Sequence, residues 1–81
     1  MAMYFYLWSD ESGGNRDKVE QHGLTSEDWE FVFENYEKEE ISRSSGRPIR
    51  IGETCDGRRV CADFEWIEDK WAVFPITGYE I

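Results

Sequence analysis

Between Val19 and Tyr36 the chain reads V-E-Q-H-G-L-T-S-E-D-W-E-F-V-F-E-N-Y, and this stretch limits what the rest can be built around. A polar helix that runs into His22-Gly23 must stop there. Gly23 enters the left-handed region at no steric cost and suits the position just past a helix end. Thr25 with Asp28 three residues on approximates a capping box, Asp standing in for Glu or Gln, so a second helix opens at once. In it Trp29, Val32, Phe33 and Tyr36 recur at i, i+3, i+4 and i+7, the spacing of one buried helical face. The pattern predicts a helix from about Ser26 to Tyr36. Phe31 points away from that stripe, so it is either exposed or touches another element, and it marks a partner surface.

The flanking sequence reads as strand. Met3 to Trp8 alternates Met3, Phe5 and Leu7 with Tyr4, Tyr6 and Trp8, two faces of one short strand. Ser9 to Gly14 is a polar loop, and Asn15 caps a first helix ending near Gln21. Glu37 to Gly46 is a flexible polar connection with a short strand near Ile41. Asp56-Gly57 signals a two-residue type I′ hairpin turn joining Ile49–Cys55 to Arg58–Trp66. That register sets Cys55 opposite Arg58 and Gly52 opposite Cys61. It gives Ile49, Ile51, Val60, Ala62, Phe64 and Trp66 to the face packed on the helices. Arg50, Thr54, Arg59 and Asp63 take the other face, with Arg50 paired to Asp63. Glu68-Asp69-Lys70 turns into a last strand, Trp71 to Tyr79, which Pro75 makes bulge or lie at an edge. The expected fold is α+β: an N-terminal strand, two helices, then a three- or four-stranded antiparallel meander with the helices on one face. Residues 1–81 read as a single domain without repeats.

An 81-residue chain sits near the lower size for one core without metals or disulfides. Four tryptophans, five phenylalanines and four tyrosines offset the small size, since each ring buries a large area. No apolar run spans a bilayer and nothing reads as a signal-peptide core, so a soluble, cytoplasmic protein without membrane contact is expected. The net charge is −9, unevenly spread. Residues 10–40 carry eleven acids against Arg16, Lys18 and Lys38, whereas residues 41–59 carry five arginines against Glu53 and Asp56. An acidic chain opposes general nucleic-acid binding, so no DNA binding of its own is expected. The arginine block leaves a local phosphate site open. The predicted register places Cys55 and Cys61 on opposite faces, which forbids a disulfide. Two cysteines and one histidine make a poor zinc set, so neither metal nor cofactor is expected.

The residues Trp8-Ser9-Asp10, Asn15, Val19, His22-Gly23-Leu24, Ser26-Glu27, Val32-Phe33, Ile51-Gly52, Gly57-Arg58 and Ile76-Thr77 together resemble the BrnT family. These are toxins of bacterial toxin–antitoxin pairs, grouped with the RelE-like ribonucleases. Arg43 to Pro48 and Thr77 to Glu80 are similar to a toxin-like subgroup. The family's last strand usually reads like Ile-Ser-Ala-Arg, its arginine acting at phosphate. Here Ile76-Thr77-Gly78-Tyr79 carries tyrosine instead. The resemblance implies a RelE/BrnT-like fold, a cognate antitoxin protein as partner and RNA as substrate.

Metal-independent RNA cleavage needs a base, an acid and cations for the phosphorane charge. His22, the single histidine, supplies an acid or base, Arg58 and Arg59 supply phosphate ligands, and Tyr79 donates a hydrogen bond or stacks on a base. Arg43 and Arg47, in a loop that orders on binding, are the candidate RNA-binding residues. His22 has an equally direct role in capping its helix, and Arg58 and Arg59 as solvated turn residues. Two functions follow: a toxin-related ribonuclease or its degenerate descendant, and a non-catalytic protein-binding module on the same scaffold.

Overall fold

The computed structural model describes residues 4–81. In chain order it contains β1 (Phe5–Tyr6), α1 (Asn15–Gln21), α2 (Ser26–Glu34), β2 (Lys38–Ile41), β3 (Pro48–Glu53), β4 (Arg59–Glu68) and β5 (Ala72–Glu80). The fold is α+β, with one mixed sheet in the order β1-β5-β4-β3-β2. Strands β2 to β5 form a four-stranded antiparallel meander. Strand β1 joins it in parallel, Phe5 beside Ala72 and Tyr6 beside Val73. Met3 lies outside the described residues. The alternation expected of its neighbours holds: Phe5 and Leu7 are exposed, while Tyr4, Tyr6 and Trp8 pack against the core.

The helix junction closes as its sequence dictates. Gly23 has φ +80°, Leu24 N–H donates to the Val19 carbonyl (3.0 Å) and Gly23 N–H to that of Glu20 (3.0 Å), a Schellman ending. Val19 and Leu24, the apolar pair such an ending brings together, are both buried. Thr25 Oγ1 accepts from Asp28 N–H while Asp28 Oδ2 accepts from Thr25 N–H, each at 3.0 Å, so the capping box is complete. The second helix stops at Glu34, short of Tyr36, because the chain must turn over Gly52. A Cβ there would lie 3.1 Å from the Tyr36 Cα. Asn15 does not cap α1, which Gly14 precedes. Its buried amide instead donates to the Leu7 and Pro75 carbonyls (2.9 and 2.7 Å) and accepts from Ser9 N–H (2.7 Å), tying β1, β5 and α1 together.

Both helices cover one face of the sheet, and the core between them is aromatic. Trp29 stacks on Phe33 with centroids 5.2 Å apart, and Phe33 meets Phe64 edge-on at 4.8 Å. Trp8 and Tyr6 close the Trp29 side edge-on. Edge-to-face and offset pairs add about 0.5–1.5 kcal/mol each beyond the area they bury.

The hairpin register differs from expectation by one residue. Thr54, not Cys55, faces Arg58 across the loop, and Gly52 pairs with Val60 rather than Cys61. The loop therefore holds three residues, Cys55-Asp56-Gly57, with Gly57 at φ +86°. Asp-Gly suits the end of this loop as well as a two-residue turn. A one-residue slip exchanges the faces of a strand. Ile49 and Ile51 thus lie on the face away from the helices with Cys61 and Asp63. Arg50 turns inward opposite Ala62. The expected Arg50–Asp63 pair does not form: Asp63 pairs with Arg47 and Arg50 with Glu39. At Pro75 the β4–β5 register shifts, the expected bulge, but β5 lies inside the sheet. No described helix is long and apolar enough to cross a membrane.

Candidate functional site

The order α1–His-Gly–α2 places His22 and Gly23 at the end of the helical layer beside the β3–β4 hairpin loop. His22 is exposed, and its ring centroid lies 6.2 Å from that of Tyr79 on β5. Arg58, leaving the hairpin loop, reaches the same corner: its Nη1 donates to the Gly23 carbonyl at 2.9 Å. Three of the residues expected at a catalytic centre therefore meet at one rim. Arg59 faces elsewhere, donating to Glu37 Oε1 at 2.8 Å. Arg47 donates to Asp63 at 3.3 Å, and Arg43 is an exposed residue of the Ser42–Arg47 turn.

Convergence does not make the arginines available. Beyond the Gly23 carbonyl, Arg58 donates from Nη2 to Asp28 Oδ2 (3.0 Å) and from Nε to both Asp56 oxygens (3.2 and 3.1 Å). It joins the hairpin loop, the helix junction and the first turn of α2. The Thr54 hydroxyl also donates to Asp56. That hydrogen bond, followed by the one from Arg58, holds the Asp56 carboxyl below its usual range. In turn Asp56 pushes Arg58 upward, as Glu37 does Arg59. A phosphate at Arg58 would have to displace two carboxylates already hydrogen-bonded there.

Tyr79 lies opposite Cys61 on β4, and a hydrogen bond to the Cys61 thiol, with further contributions from Cys61 charge, burial and Asp63, raises its phenol. Cys61 itself is pushed up chiefly by burial. Both groups stay protonated at neutral pH, so Tyr79 is a donor rather than a base. Cys55 sits exposed in the hairpin loop, and the two thiols are unpaired.

The wider charge pattern follows from these pairings. Arg47, Arg50, Arg58 and Arg59 all lie within 4.0 Å of a carboxylate, so four of the five arginines of the block, all but Arg43, are neutralised by acids that the fold brings to them. Residues 10–34 keep their excess, eight acids against Arg16 and Lys18, and Arg16 already pairs with Asp10 at 2.6 Å.

Two arrangements escaped the sequence pattern. Arg50 is 7 % exposed, donates to Glu39 (2.7 Å) and to the Phe33 carbonyl (3.0 Å), and lies about 4 Å from the Phe33 and Tyr36 ring centroids. The small residues Gly52 and Ala62 beside it were the available signal that this face lies under the helices. The second is a pair of aromatic donors on carboxylates, Trp8 Nε1 to Glu30 Oε2 at 2.8 Å and Tyr6 Oη to Glu34 Oε2 at 2.5 Å. Burial and Glu34 together raise the Tyr6 phenol far above its ordinary value.

No family model, curated protein or solved structure matches the chain.

Proposed function

We propose that this chain is a toxin-related cytoplasmic protein that works by binding another protein and does not cleave RNA. The occupied guanidinium of Arg58 carries the reading. Four of its contacts go to Asp56, Asp28 and the Gly23 carbonyl, so the arginine at the His22 corner already serves the fold. Acyl or phosphoryl chemistry relies on preorganised donors aimed at developing negative charge. At this rim the donors are aimed at carboxylates. The tyrosine at position 79, where the resembled family carries arginine, removes a second cation from the same corner. Residues 10–34, beside it, would repel an RNA backbone.

The proximity of His22 and Tyr79 favours the second reading, a ribonuclease remnant. One experiment separates the two. The wild-type chain expressed alone should leave growth and bulk translation unchanged, and the purified protein should leave RNA intact. Growth arrest with RNA cleavage, lost in His22→Ala, would replace binding with catalysis. Tyr79→Arg restores a cation at that corner. Cleavage appearing only in that variant would identify a degenerate nuclease.

A further inference from the structure

We infer that the outward face of α2, built from Glu27, Glu30, Phe31 and Glu34, is a docking surface for a protein that presents lysine and arginine side chains around an apolar patch. The inference rests on the binding reading above and supplies its surface and partner chemistry. These four residues recur at i, i+3, i+4 and i+7, one continuous stripe opposite the buried Trp29–Val32–Phe33 face. Phe31 is 39 % exposed, and no described element covers the stripe.

The charge on this face is uncompensated and yet held in position. Among the described residues no lysine or arginine lies within 4.0 Å of Glu27, Glu30 or Glu34. Trp8 and Tyr6 orient Glu30 and Glu34 through neutral donors, which fix the carboxylates without cancelling their charge. Glu27–Glu30 and Glu30–Glu34 are like-charge neighbours along the helix, which lowers helix stability. Glu34 also occupies the last turn, where the helix dipole disfavours an anion and no basic residue offsets it. Glu27, in the first turn, is favoured by the dipole, but from Glu30 to Glu34 the stripe works against its own helix. A cationic partner would relieve that repulsion on contact and cover the phenyl ring. Preset carboxylates would lose little freedom in the process. Acids without a basic partner lie elsewhere too, Glu11, Glu20, Glu65 and Glu68 among them, but the α2 stripe holds two of its carboxylates on aromatic donors around an exposed phenyl ring.

The test uses the full chain and a fluorescent peptide of alternating lysine and leucine as probe. Binding is followed by anisotropy and by amide chemical shifts. The shifts should map to 27–34. The triple change Glu27→Gln, Glu30→Gln, Glu34→Gln should weaken binding about tenfold or more while leaving the unfolding midpoint no lower than wild type. Phe31→Ala should weaken it about fivefold with the fold unchanged. The control triple Glu53→Gln, Glu65→Gln, Glu80→Gln has the same net charge and should stay within about twofold of wild type. Equal losses in the two triples, shifts confined to the opposite sheet face, or no binding would each overturn the inference. Shifts on the sheet face would leave the binding-module reading standing, whereas RNA cleavage by the wild-type chain would remove that reading itself.

Discussion

Trp29 is wholly buried, stacks on Phe33, and donates from Nε1 to the Thr77 carbonyl at 2.9 Å. Its indole lies directly over Gly78, where an added Cβ would sit 2.7 Å from Trp29 Cδ1. Gly78→Ala thus sets two effects against each other. Lower entropy of the unfolded chain would stabilise by about 0.4–1 kcal/mol. Overpacking against a buried ring costs roughly 1–3 kcal/mol, and Trp29 has no flexible end to move aside. The clash should win, lowering the denaturation midpoint and shifting the tryptophan fluorescence. A midpoint at or above wild type would show that the indole does not bear on Gly78. The importance of Trp29 was legible from its helical spacing, but the place of Arg50 was not. An arginine between two isoleucines reads as the outward residue of an alternating strand. Here Phe33, Phe64 and Tyr36 surround its flat cation while Glu39 and the Phe33 carbonyl take its protons. Pattern rules sort residues by polarity, and a guanidinium stacked on rings satisfies both classes at once.

The second helix has nine residues, too few to persist alone in water, so its ends matter in proportion. Both halves of its capping box are present, and Thr25→Ala removes the acceptor for the Asp28 N–H. The expected cost is about 1 kcal/mol, measured as a lower urea midpoint with an unchanged slope. Thr25→Ser should retain most of the stability, and an unaffected Ala variant would mean that packing alone holds the helix start. Local chemistry of this kind was readable at the Gly23 stop and the Thr25 start, but not at the start of α1, where Asn15 read as a cap and serves instead as a buried tie. What the sequence left undetermined was pairing between segments. Asp56-Gly57 allowed two loop lengths, and only backbone approach over Gly52 selects the longer. Nothing in Tyr4 to Trp8 distinguishes a parallel partner from an antiparallel one, because the alternation of its side chains is the same in both.

Across the molecule, nine formal negative charges remain after all pairings, with the helical layer holding a large share. Self-repulsion of that kind opposes the folded state and is screened by salt, whereas isolated surface ion pairs contribute little. Raising sodium chloride from about 20 mM to about 0.5 M should therefore raise Tm by a few degrees, on a scale where about 1 kcal/mol moves it roughly 4–8 °C. A Tm that falls with salt would show that the arginine–carboxylate pairs outweigh the repulsion. The same pairings explain why the candidate site was only half legible. His22, Arg58 and Tyr79 were candidates from the sequence, but neither their meeting at one rim nor the acids from distant segments, Asp28 on Arg58, Glu37 on Arg59 and Asp63 on Arg47, could be read there. The parallel seam between β1 and β5 has a further effect, on the order of assembly. Phe5 waits for Ala72 on the last strand of the sheet, so β1 finds its backbone partner only once β5 is in place. Tyr4, Tyr6 and Trp8, which wall one side of the core, have side-chain contacts to hold them over that interval, the Trp29 and Phe33 rings of α2 among them, but no strand partner. Until then the backbone of an aromatic strand stays unpaired, a template for any other strand it meets, which makes it the natural client of whatever shields incompletely folded chains.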